Sequence, residues 1–181
     1  MALRDRQRSA TRSRIQQHAL RLFTDRGYDA TTVNEVADAA GVSAMTVYRH
    51  FPTKEDLVLY DEFDQLAATA GPDTGPLTDQ IAHTILETLT LAVEQDRDRL
   101  LARLQLMITT PALQARHLDS QYRLQQALVS GIAERFEAEA AASACLGIAH
   151  TALLRWAADN GRSDLPSLFR QAFRATFGRE L

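Results

Sequence analysis

The chain carries 181 residues, 45% of them hydrophobic, and a formal net charge of −3, enough apolar material for a packed core in one large domain or two small ones. Its single cysteine, Cys145, excludes an intrachain disulfide and fits a reducing compartment, and no apolar run approaches the roughly 18 residues that a membrane span needs. An Arg-rich start with no apolar segment behind it argues against a secretory signal, which leaves the cytoplasm as the expected compartment.

Charge is unevenly placed along the chain. Residues 1–54 hold nine Arg and Lys against five Asp and Glu, a net +4, and the remainder holds eleven against eighteen, a net −7. A basic head on an acidic body is the asymmetry expected when one end of a chain meets phosphate. The first eight residues are polar and charged and are expected to be disordered in isolation. They are either a solvated tail or an arm that touches DNA phosphate or the minor groove. The first predicted helix runs from about Ala10 to Arg26, with Ile15, Ala19, Leu22 and Phe23 on one face. Gly27 ends it.

The stretch from Thr32 to Phe51, TVNEVADAAGVSAMTVYRHF, carries the densest local signals. Thr32 is an N-cap and Glu35, three residues on, completes a capping box. Val33, Val36, Ala37 and Ala40 follow at helical spacing, and Gly41 stands where a helix end wants positive φ. Ser43 is a second N-cap, opening a helix from Ala44 to His50 that Pro52 prevents from continuing smoothly. Two short helices joined by a glycine turn make a helix-turn-helix, whose second helix enters the major groove. The expected core of this head is Ile15, Leu22, Phe23, Val36, Val42, Val47 and Phe51.

The run from Ala30 to Leu57 resembles the DNA-binding domain of TetR-type transcriptional regulators. The likeness rests on Thr32-Val33, Ala37, Ala40 to Ser43, Thr46, Tyr48, His50-Phe51 and Lys54 to Leu57. Met45 departs from the small residue often found there. The resemblance implies phosphate contacts by Thr46, Tyr48, His50 and Lys54. It also implies a helical body that dimerises and senses a ligand.

After Pro52, Lys54 to about Ala70 reads as a fourth helix, with Leu57, Tyr60 and Leu66 near one stripe and Phe63 beside it. Residues 71–76, GPDTGP, form the clearest break. Everything beyond reads helical: Thr78 to Glu94, Asp96 to Ile108, a turn of helix from Pro111 to about Arg116, His117 to Glu139, Ala140 to Asn160, and a last helix capped by Asp164. No strand pattern appears, so the class is all-α. We expect residues 1–54 to form the DNA-binding domain, with the helix-turn-helix at 32–51. Residues 55–181 form the sensing and dimerisation domain, joined through a connecting helix at 54–70.

Side-chain chemistry sorts the head. Thr32 and Ser43 open helices whose N–H groups suit phosphate. Ala44, Met45 and Arg49 are expected at or near base edges, since Arg pairs with guanine and Ala or Met touches a thymine methyl. Tyr48 and Met45 are otherwise core residues, and His50 is otherwise a buried structural histidine. In the body, Phe63, Ile85, Leu89, Leu104, Met107, Ile108 and Tyr122 are candidate walls of a ligand pocket or plain core. Ile148, Ala152, Trp156, Phe169 and Phe173 are candidate dimer contacts, or they close an intramolecular bundle.

No cofactor or metal is expected. His83, His117, His150 and Cys145 make no tight ligand cluster. No phosphate-cradling glycine loop, HExxH or GxSxG is present, so no residue set nominates an enzyme. An adaptor that keeps the fold and binds protein is the third class, and the basic head argues against it. The expected protein is a homodimeric repressor on pseudo-palindromic double-stranded operator DNA, released by a small apolar effector. Its body is similar to that of the actinobacterial group that includes mycofactocin-associated regulators, which implies a lipophilic or acyl-CoA-like effector.

Overall fold

The computed structural model describes residues 2–59, 75–130, 132 and 135–181. They form α1 (Ala2–Arg26), α2 (Val33–Ala40), α3 (Ala44–His50), α4 (Asp56–Leu59), α5 (Leu77–Thr109), α6 (Pro111–Leu128), α7 (Arg135–Ala158) and α8 (Leu165–Phe177). No strand occurs among the described residues, which makes the fold all-α. Among the described residues, no helix is long and apolar enough to cross a membrane. Tyr60, Phe63, Leu66 and most of the 71–76 break lie outside the described residues.

The helices group into two compact units. The first takes the described residues up to Leu59 together with Gln105–Arg116, and the second takes those of 75–104 and 117–181. The expected division at residue 54 had left 105–116 with the body. Arg116 bonds Asp56 within the first unit at 3.3 Å.

In the first unit, α1 packs on α2 and α4, and α2 on α3. Ile15, Leu22, Phe23, Val36, Val47 and Phe51 are buried as expected, while Val42 is only half-buried. Tyr28, Thr31 and Leu57 add to this core. Thr31 spends its hydroxyl on the carbonyls of Gly27 and Leu22, which satisfies a buried polar group. The first helix starts at Ala2 rather than Ala10. Once a helix is nucleated, each further residue gains a hydrogen bond, and Leu, Arg and Gln are good helix formers.

Beyond residue 75, helix boundaries follow breakers. Residues 77–109 form one helix kinked at Asp96, whose φ of −161° and ψ of 75° are non-helical. Its carboxylate accepts from Arg99 N at 3.1 Å and so caps the second half. The expected break near Arg116 is absent, because nothing there stops a helix. The chain leaves the helix after Leu128 instead, at Val129-Ser130, and α7 begins at Arg135 rather than Ala140. Asp164 caps α8 as expected, through Ser167 N at 2.9 Å.

The α7–α8 corner is tightly determined. Gly161 has φ +71°, and a Cβ there would lie 2.9 Å from Arg97 Nη2 and 3.3 Å from Trp156 Cζ2. Arg97 Nη2 donates to Gly161 O at 2.7 Å, with its guanidinium 5.7 Å from the Trp156 ring centroid. Trp156 Nε1 donates to Ser163 O. Gly161→Ala combines a left-handed backbone, disfavoured by about 1–2 kcal/mol for an L-residue, with displacement of Arg97. The expected loss is about 1–3 kcal/mol of stability by urea denaturation, with helicity at zero urea unchanged.

Candidate nucleic-acid interface

Local chemistry fixes the helix-turn-helix. Thr32 and Glu35 cap reciprocally: Glu35 N donates to Thr32 Oγ1 at 3.2 Å and Thr32 N to Glu35 Oε2 at 2.7 Å. The bond from Thr32 N, and then one that the Thr32 hydroxyl donates to Glu35 Oε2 at 2.8 Å, hold the Glu35 carboxyl below its usual pKa. Gly41 takes φ 64°, and Val42 N returns to Ala37 O at 3.0 Å, closing the helix end. Ser43 Oγ accepts from Thr46 N at 3.2 Å, and its hydroxyl lies 2.9 Å from that of Thr46.

α3 then has two faces. Val47, His50 and Phe51 are buried. Met45, Tyr48 and Arg49 are exposed, Met45 by 76% and Tyr48 by 47%. The reading of Met45 and Tyr48 as core side chains therefore falls away. Among the other expected contact residues, Thr32 and Ser43 are exposed, Ala44, Thr46 and Lys54 half-buried, and His50 buried.

His50 is 5% exposed, and its Nδ1 has no hydrogen-bond partner among the described residues. Burial first, then Arg12, Arg49 and Arg8, push its pKa below the usual value, so its imidazole is neutral. Lys54 Nζ donates to Tyr28 O at 2.6 Å and sits 4.2 Å from the Tyr28 ring centroid. Its ammonium thus braces the head. Tyr28 in turn donates to Glu55 Oε1 at 3.1 Å, and burial, then the Glu55 charge, raises its pKa.

One residue near α3, Arg12, escaped the sequence reading. Arg12 Nη2 donates to His50 O at 2.8 Å, with its guanidinium 5.3 Å from the Phe51 ring centroid. This contact spans 38 residues, which no local sequence signal announces.

His50 and His150 set a pH dependence of stability. Burial lowers both pKa values, so the unfolded chain binds more protons at these sites near pH 6. Stability is then fully present above the unfolded histidine value of about 6.5 and falls as pH drops from there toward the folded values. The expected result is a midpoint of urea denaturation that declines between about pH 7 and 5, and declines less in His50→Gln.

The body residues divide. Ile85, Leu89 and Leu104 are buried in the second unit. Met107, buried, and Ile108, half-buried, belong to the first. Tyr122 is 64% exposed, as are Leu118 by 62% and Phe136 by 81%, which removes Tyr122 from any enclosed wall. Ile148, Ala152, Trp156, Phe169 and Phe173 are each at most 4% exposed within a single chain. They are core between α7 and α8 and cannot meet a second copy, which corrects the expected dimer contacts. The outer side of α7 is different: Ala144, Gly147, Thr151 and Leu154, at helical spacing, are exposed or half-exposed and uncharged. Leu168, Ala172 and Ala175 of α8 are likewise open. His117 Nε2 and His150 Nδ1 meet at 3.1 Å, yet no group of three metal-capable side chains occurs among the described residues.

Comparisons agree with this layout. Residues 15–60 match the family model "Bacterial regulatory proteins, tetR family", and residues 75–178 match the "MftR C-terminal domain". The chain is 36% identical over 81 residues to the HTH-type transcriptional repressor KstR2 of Mycolicibacterium smegmatis, covering 39% of this chain and 38% of that repressor. It thus spans about two fifths of that relative's length. In fold it is similar to NalD, the secondary repressor of the MexAB-OprM multidrug efflux pump of Pseudomonas aeruginosa, at 21% identity and TM-score 0.61, covering 94% and 95% of the two chains. It is also similar to the regulator FadR of Bacillus subtilis in complex with stearoyl-CoA, at 18% identity and TM-score 0.61, covering 93% and 99%.

Proposed function

Since the chain belongs to the TetR family of bacterial regulatory proteins, we propose that it is a cytoplasmic homodimer that represses transcription from a pseudo-palindromic operator and releases it on binding a small apolar effector. The observation that carries this reading is α3: capped at its start and locked by Val47, His50 and Phe51, it presents Met45, Tyr48 and Arg49 outward. Ala44 and Met45 lie in its first turn and are the residues we place against base edges. Thr32, Ser43, Thr46 and Tyr48 supply hydroxyls and N–H groups for phosphate. His50 and Lys54 act beneath them, as a buried support and as a brace.

Residues 1–54 read DNA in this account, and 55–181 sense and dimerise. Dimerisation uses the uncharged outer side of α7 with Leu168, Ala172 and Ala175 of α8. Small residues there let two helices approach closely, and a two-fold axis makes the patch self-complementary. The effector class we propose is lipophilic or acyl-CoA-like, with Ile85, Leu89 and Leu104 among the apolar groups that hold its chain. FadR, alike in fold, holds stearoyl-CoA. Effector binding biases a two-state dimer toward a spacing of reading helices that no longer fits the operator. The Arg116–Asp56 pair, 31% and 15% exposed, ties α6 to α4 and is a lever for that coupling.

The test is fluorescence anisotropy on the DNA upstream of the protein's own gene, titrated with protein and then with acyl-CoAs of increasing chain length. Binding at about 150 mM salt followed by release with one chain-length class is expected. Binding unaffected by any acyl-CoA removes the effector class, and no binding removes the reading.

A further inference from the structure

Arginines outside the matched helix-turn-helix region crowd one end of α3. The family match begins at residue 15, yet α1 extends unbroken back to Ala2. Arg8 and Arg12 are one turn apart on that helix and so share a face. Arg12 pins this face to the end of α3 through His50 O and the Phe51 ring. Arg49 stands in the last turn of α3 and, like Arg8, is exposed. Arg8, Arg12 and Arg49 all bear on His50, whose buried Nδ1 lacks a hydrogen-bond partner among the described residues.

We propose that Arg8 and Arg49, with Arg12 as their anchor, form a clamp for two neighbouring DNA backbone phosphates, one each, beside the reading face of α3. The proposal rests on the DNA-binding reading above and deepens it. It resolves the two readings of the N-terminal segment in favour of a DNA contact, made by a helix rather than by a disordered arm. It also moves Arg49 from base edges to the backbone, since α3 offers its first turn to bases and its last turn to the flank. A neutral His50 beneath the clamp adds no further positive charge and leaves the arginines to face the anions.

The experiment measures the salt dependence of binding to a mixed-sequence duplex of about 30 base pairs, between about 50 and 200 mM salt. Each lost phosphate contact lowers the slope of log K against log salt by about 0.9. Arg8→Gln and Arg49→Gln are each expected to lower it by about that amount, weakening binding roughly 5–10-fold near 0.1 M salt. The double variant doubles the change in slope. Arg8→Lys keeps the slope, because a point charge suffices for phosphate. Arg170→Gln, an exposed arginine of α8, is the control for net charge and keeps it too. An unchanged slope in Arg8→Gln overturns the clamp, as does an equal drop in the Arg170 control. A loss in Arg49→Gln confined to one operator sequence returns Arg49 to base reading and overturns its part. If the unsubstituted protein fails to bind the duplex even at about 50 mM salt, the DNA-binding reading itself fails, an outcome distinct from a clamp failure.

Discussion

Phe173→Glu unfolds the second compact unit. Phe173 has no exposed surface within a single chain, sits 4.7 Å from the Phe177 ring, and lies under the Arg179 guanidinium. With Leu165 and Phe169 it forms the buried edge of α8, which pairs with α7. Truncating a buried phenylalanine alone costs about 3–5 kcal/mol. A carboxylate in its place must also be desolvated or protonated. Arg179 offers a nearby cation, but Asp79 already engages it. A loss above about 4 kcal/mol approaches the whole stability of many domains. The expected measurement is a circular dichroism signal without a cooperative transition. A folded, fully stable variant would remove α8 from the core.

Gly147→Arg gives the opposite outcome: a folded monomer. A Cβ at Gly147 meets nothing within 4 Å, so the protomer accepts a side chain there. Arginine is also a better helix former than glycine by roughly 0.5–1 kcal/mol. The residue stands on the outer side of α7 with Ala144, Thr151 and Leu154. In a two-fold dimer built on that side the substitution appears twice, and each guanidinium loses water without gaining a partner. Weakening of the dimer by a factor of about 10³ corresponds to about 4 kcal/mol. Sedimentation should show a monomer melting at or above the temperature of the unsubstituted chain, and operator affinity should fall with it. A variant that remains dimeric would place the interface elsewhere.

The contrast between these two substitutions shows where sequence reading reached its end. Thr32, Glu35, Gly41 and Ser43 could be read directly, because caps and turns are decided within four residues. The apolar stripe of α8 was equally visible, but a stripe does not say what covers it. A helix edge that fills its own bundle and one that fills a neighbour's have the same spacing. Lys54 shows a related limit. Its ammonium suits phosphate in any sequence, and only the fold brings the Tyr28 carbonyl, 26 residues away, to claim it. The boundary between α6 and α7 went astray because Ser130-Gly131 was passed over for an apolar repeat running through it. Arg12 was visible only as one more arginine in a basic segment.

The most direct test of the central claim is selection of bound duplexes from a randomised pool, followed by footprinting on the winner. The account predicts an enriched pseudo-palindrome whose half-sites are centred about one helical turn apart, roughly 34–36 Å, or a multiple of it. It further predicts that Met45→Ala changes the enriched bases while Tyr48→Phe weakens all sequences alike. A pool that remains unenriched after selection, with footprints that follow no sequence, would contradict it.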